Sequence, residues 1–133
     1  MTEEDRLVAK AQEAQRNAHA PYSHFHVGAA LVTDSGEIYS GCNVESSSYG
    51  LTVCAERVAI FKAVSEGKKQ FRKMAIVTET EEFCPPCGAC RQVIWDFAPE
   101  LEIILVNSKG ERRRTTIAKL YPEAFGNQFL QEG

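Results

Sequence analysis

The sequence predicts an α/β domain in which a mixed five-stranded sheet carries helices on its faces. Three observations lead there. Stretches with helical periodicity and short apolar runs follow one another in the order α-β-β-α-β-α-β-β-α. Glycine-bearing turns at Asp34-Ser35-Gly36 and Ser108-Lys109-Gly110 each join two strand-like runs, as hairpins do. A chain of 133 residues, 44% of them hydrophobic, can bury a substantial core, so residues 1–133 are expected to form one domain.

The first helix is expected from Glu3 to about Ala18, with Thr2 as its N-cap and Leu7, Val8, Ala11 and Ala14 on one face. Pro21 ends that element and starts a turn with Tyr22 and Ser23. Phe25 to Thr33 then reads as a strand, and a second strand runs from the Asp34-Ser35-Gly36 turn through Val44. Glu45 to Thr52 is polar and irregular. Cys54 to Ser65 reads as a helix with Gly67 as its C-terminal cap. Lys73 to Thr78 is a buried strand, and Glu79 to Pro86 an acidic loop closing on two prolines. Cys87 to Phe97 makes the next helix, stopped by Pro99. Leu101 to Asn107 and Arg112 to Thr115 are the last two strands. A short helix near Ile117 to Tyr121 and an irregular tail from Pro122 complete the chain.

Composition narrows the classes of function. No apolar run approaches 18 residues, and charged residues are scattered through Met1 to Arg16, so neither a membrane span nor a signal peptide is expected. Five cysteines, an odd number and mostly clustered, suit a reducing cytoplasm better than a disulfide framework. A net charge of −3 gives no general attraction to a polyanion. The one basic cluster, Arg112-Arg113-Arg114, lacks the interleaved aromatics of a single-strand platform and reads as a solvated edge strand.

The chemistry is concentrated in Cys54-Ala55-Glu56-Arg57 and Pro86-Cys87-Gly88-Ala89-Cys90-Arg91-Gln92. Cys87 and Cys90 are spaced to grip one tetrahedral metal, and Cys54 adds a third thiolate. Three protein ligands leave a position open, as in catalytic zinc sites. Glu56 can serve beside them as general acid and base. In mid-helix, Cys54 and Glu56 would point to nearly opposite sides. They converge only if Cys54 lies at the helix N-terminus, with Cys87 opening the second helix in the same way. Helix N-termini lower thiol pKa values, and Arg57 and Arg91 are the available counter-charges for three thiolates.

Other readings of these residues remain open at this point. The Cys87–Cys90 pair alone admits a thioredoxin-like redox motif, which leaves Cys54 and Glu56 without a role. A structural zinc would need a fourth ligand, for which Cys42, Cys84 or a histidine is available. His24 and His26 form an H-x-H pair, more ordinarily a pair of strand-edge residues. A zinc-binding assembly module without turnover would not need Glu56.

The same two stretches resemble the zinc-dependent nucleoside and nucleobase deaminases, with Cys54 where many members have histidine. The all-cysteine version is similar to the small homotetrameric cytidine deaminases. Ala20-Pro21-Tyr22-Ser23, Phe25 to Leu31, Gly41-Cys42-Asn43-Val44-Glu45 and Tyr49 fit the same pattern. The resemblance implies a three-layer α/β/α sandwich with both ligand-bearing helices on one side. It implies one zinc per chain on Cys54, Cys87 and Cys90, and hydrolytic deamination of cytidine and deoxycytidine with Glu56 moving the protons. It also implies a cytoplasmic enzyme of pyrimidine salvage, a homotetramer with shared sites, acting on free nucleosides and not on nucleic acid. Residue by residue, it places Asn43 and Glu45 at the ribose 3′-hydroxyl, the Ala55 backbone at the base, and Phe25 in the pocket wall. Tyr49 and Phe125 match residues that reach a neighbouring subunit's site. Pro85 departs from the small polar residue common there. A related deaminase of modified cytidines or aminonucleoside antibiotics shares the cytosine ring and is the nearest alternative activity.

Overall fold

Alternation along the central strands decides the layering. In a computed structural model of the chain, which describes residues 1–130, the strands are β1 (Gly28–Thr33), β2 (Ile38–Cys42), β3 (Phe71–Val77), β4 (Glu102–Val106) and β5 (Arg112–Thr116). They form one sheet in the order β2-β1-β3-β4-β5. Only β3 and β4 are parallel; the other neighbours are antiparallel. Ala30, Val32, Ala75, Val77, Ile104 and Val106 face α1 (Glu3–Gln15) and pack with its Leu7, Val8 and Ala11. Ala29, Leu31, Met74, Ile76, Ile103 and Leu105 face the opposite way, onto α2 (Ala55–Ser65) and α3 (Gly88–Phe97). A period of two thus gives each central strand two apolar faces, which is what burial between helix layers requires. The fold is the expected three-layer sandwich, with α2 and α3 on the same side.

Helix ends follow the local chemistry. Thr2 and Asp5 make a reciprocal capping box at the start of α1. That helix ends at Gln15, three residues before the expected limit. Asn17 and Ala18 switch to tighter i→i+3 bonds, to Ala14 and Gln15. The exit leaves His19 free to bridge Val44. Gly67, with φ +85°, closes α2 in a Schellman motif: its N–H bonds Val64 and that of Lys68 bonds Ala63. Gly41 in β2 lies so close under α2 that a Cβ there would sit 2.7 Å from the Ala59 nitrogen. This close approach sets the height of the Cys54 end of α2 above the sheet.

Two expected strands are shorter than anticipated. Phe25 to Val27 does not join the ladder, because the Asn43 side chain takes its backbone groups instead. Val27 N–H donates to Asn43 Oδ1 at 2.9 Å, and Asn43 Nδ2 donates to the Phe25 carbonyl at 2.7 Å. At the other end, β2 stops at Cys42, and Val44 makes only isolated bridges to His19 and Val53. The basic run lies on edge strand β5, where Arg112 and Arg114 pair with Glu4, and Arg112 with Asp5, at the start of α1. The short helix α4 (Ile117–Leu120) follows β5, capped by Thr116.

Candidate active site

Cys54 is the N-cap of α2 and Cys87 the N-cap of α3, and neither side chain is used to cap its own helix. Both sulfurs are therefore left at the helix ends, turned toward one another instead of toward their own backbone. Cys90 follows in the first turn of α3 and is buried. The three sulfurs lie within 4.8 Å of one another, and Cys54 and Cys87 are 3.8 Å apart. Zinc–sulfur bonds near 2.3 Å at a tetrahedral angle require a separation of about 3.8 Å. The donor set therefore fits zinc. A disulfide would need the sulfurs at about 2.05 Å. Among the described residues, no histidine, carboxylate, Cys42 or Cys84 joins the cluster as a fourth ligand.

Glu56, two residues beyond Cys54, is 5% exposed at the floor of a cavity of about 290 Å³. Burial pushes its carboxyl up to about 7; the negative Cys54 adds to the rise and Arg57 opposes it. Cys54 itself is held down near 5, by a hydrogen bond from Cys90 and then by Arg57. The proton stays on Cys90, whose thiol is pushed up by that same hydrogen bond and by burial. Arg57 Nη2 donates to Cys54 Sγ at 3.4 Å. Arg91, expected to share this task, is directed elsewhere. Its Nε and Nη1 donate to the carbonyls of Pro86 and Leu120 at 2.8 and 2.7 Å, bracing the loop before α3 against α4.

The cavity collects most of the remaining expected residues. Phe25, Asn43, Glu45 and Ala55 line it together with Ser23, Thr52, Ile76 and Cys84. Asn43 spends one amide hydrogen and one acceptor site on the backbone clasp described above, which leaves one of each. Tyr49 is 74% exposed and stands outside, edge-to-face with Tyr22 at 5.8 Å, over an adjoining groove that shares Ser23, Glu45 and Thr52. Phe125 does not approach this cavity. It stacks on Phe129 beside α3, where Gln92 holds its carbonyl. Neither histidine is near the sulfurs: His26 pairs with Glu79, and His24 takes a left-handed φ of 58°. The contacts around Glu45 were not foreseen. Ser23 stood in a recognisable motif, but nothing in the residue order says which carboxylate it meets.

The model of the cytidine and deoxycytidylate deaminase zinc-binding region matches residues 1–105. The chain belongs to this family. A cytidine deaminase of Sporosarcina psychrophila is 49% identical over 127 residues, 95% of this chain and 93% of the relative. The 1.6 Å crystal structure of a cytidine deaminase from Burkholderia pseudomallei superposes with a TM-score of 0.90. It is 48% identical and matches 94% of this chain and all of that one. A blasticidin-S deaminase of Bacillus cereus is 39% identical, with 87% of each chain covered. The zinc of the family suits the three-thiolate group found here.

Proposed function

We propose that the chain, acting as one catalytic domain, hydrolyses free cytidine and deoxycytidine to uridine and deoxyuridine, consuming one water and releasing one ammonia. The observation that carries this reading is the buried Glu56 carboxylate beside three converging cysteines, with Glu56, Cys54 and Cys87 lining a nucleoside-sized cavity. Zinc held by Cys54, Cys87 and Cys90 supplies a Lewis acid that brings the pKa of a water toward neutrality. Glu56 would take a proton from the attacking water and deliver it to ring N3, which makes C4 electrophilic. The water oxygen bonds to C4, and Glu56 would carry the second proton of that same water to the amine as the C4–N bond breaks and ammonia leaves. One mobile carboxylate near neutral pKa is enough for both transfers. The Cys90 hydrogen bond, and after it Arg57, favours the Cys54 thiolate, and Arg57 also limits the rise of Glu56.

At the sugar end, Asn43 and Glu45 hold the 3′-hydroxyl, the Ala55 backbone meets the base, and Phe25 walls the pocket. The exposed Tyr49 and Phe125 lie outside the cavity of their own chain, which supports a homotetramer whose neighbours complete each site. Cytoplasmic pyrimidine salvage is the setting that fits this substrate. No described helix is long and apolar enough to cross a membrane.

The test is a substrate panel with purified protein, followed by ammonia release and ultraviolet change. Cytidine and deoxycytidine should be consumed with stoichiometric ammonia. The 39% identity to a blasticidin-S deaminase makes that antibiotic the informative competitor. Faster turnover of blasticidin S than of cytidine would reassign the substrate while leaving the zinc chemistry in place.

A further inference from the structure

Glu45 follows Val44, whose isolated bridges are the last sheet-like pairing before the loop, so no strand fixes its side chain. Three donors from one neighbouring loop do so instead. Oε1 accepts the N–H groups of Tyr22 and Ser23 at 3.0 and 3.1 Å, and Oε2 accepts the Ser23 hydroxyl. The Ser23 oxygen in turn accepts the Phe25 N–H at 3.0 Å. An N–H can only donate, so the single hydroxyl hydrogen of Ser23 is committed to Glu45. His24, in the left-handed region between them, is the bend that lets one oxygen serve both contacts.

A carboxylate offers about four acceptor sites. Three are filled from the loop, and the one left is on Oε2, the oxygen that Ser23 orients. From this geometry we infer that Ser23 is a positioning residue: it aims the last free acceptor site of Glu45 at the nucleoside 3′-hydroxyl. The inference rests on the nucleoside reading of the pocket given above. Glu45 stays a carboxylate throughout the neutral range, because the Ser23 hydroxyl, with the backbone N–H groups behind it, holds its pKa below the ordinary value. Without Ser23, Oε2 loses its anchor while Oε1 keeps both backbone donors. The carboxylate is then free to rotate about that remaining pair.

Steady-state kinetics on the zinc-loaded enzyme test this with two substrates, deoxycytidine and 2′,3′-dideoxycytidine, which lacks the 3′-hydroxyl. Ser23→Ala should lower kcat/KM for deoxycytidine roughly tenfold, as expected for a lost bond to a charged group, and mostly through KM. The same variant should leave kcat/KM for dideoxycytidine within about twofold of wild type, since that sugar gives Glu45 nothing to hold. Ser23→Thr, which keeps the hydroxyl, should restore deoxycytidine. If the alanine variant does not fold, Ser23→Cys, nearly isosteric but a weak donor, should show the same split. Equal losses on both substrates would overturn the inference and make Ser23 a general support of the Phe25 wall. An unchanged deoxycytidine KM would overturn it too. A wild-type enzyme that turns over neither nucleoside would instead remove the nucleoside reading beneath it.

Discussion

Cys54, Glu56, Cys87 and Cys90 all lie at the N-cap or in the first turn of a helix, whereas Ser23, Glu45 and Tyr49 lie on loops and a single 3-10 turn. The first group is tied to the core through Ala55, Ala59, Ile60 and Ile94, which are buried under the sheet face. In the second, hydrogen bonds tie Glu45 to Ser23 and the Tyr22 backbone, Tyr49 meets Tyr22 only edge-to-face, and Ser23 and Tyr49 stand in water. On the proposed reading, the chemical end of the pocket is drawn from two helix starts within one chain. The recognition end is assembled from loops and left open. Bond-making needs sub-ångström placement, which helix ends supply. Sugar recognition tolerates more movement, and an open rim leaves room for a neighbouring copy.

Substrate choice should break at the recognition end with the largest effect. On the proposed reading Glu45 is a fixed negative charge facing the 3′ position, so a phosphate there would lose the donor and meet a like charge. Discrimination against 3′-CMP relative to cytidine should reach on the order of 10³-fold in kcat/KM. Glu45→Gln should weaken nucleoside binding and narrow that gap. Comparable turnover of cytidine and 3′-CMP by the wild type would remove Glu45 from the ribose.

Sharing between chains should show as a recovery. A Glu56→Ala chain mixed with a chain truncated before Phe125 should regain part of the wild-type activity, provided each assembles and is poorly active alone. Mixed assemblies that stay as inactive as their parents would confine each site to one chain.

A smaller effect is expected at the chemical end from Arg57. Its guanidinium opposes the rise of the Glu56 pKa, so Arg57→Gln should raise that value further. The working form of Glu56 is the carboxylate, which is lost as pH falls through its pKa. The acidic limb of the pH–rate profile should therefore move upward by about one unit. An unmoved limb with an altered KM would place Arg57 on the substrate.

The two ends also differed in how far the residue order could reveal them. Cys54, Glu56, Cys87 and Cys90 were legible because their positions follow from helix geometry. An i, i+2 pair converges only at a helix start, and an i, i+3 pair lies on one face. The layer order was legible for a similar reason, since strands buried on both faces read as continuous apolar runs. Phe25 to Val27 was not, because its β-like pattern is diverted to the Asn43 side chain across 16 to 18 residues. Arg91 beside Cys90 looked like a counter-charge, but its side chain turns away to backbone carbonyls. Sequence neighbours share a site only when the local conformation points them the same way. Contacts such as Ser23 to Glu45 depend on loop conformation, which spacing does not encode.

The division of labour within the chemical end is the central claim, and metal content measured together with turnover tests it most directly. Glu56→Ala should keep about one zinc per chain and lose about 10²–10⁴-fold or more in kcat, because the three cysteines hold the metal and Glu56 moves the protons. Loss of the zinc along with the activity would make Glu56 a ligand, and turnover within tenfold of wild type would contradict its role as the proton carrier.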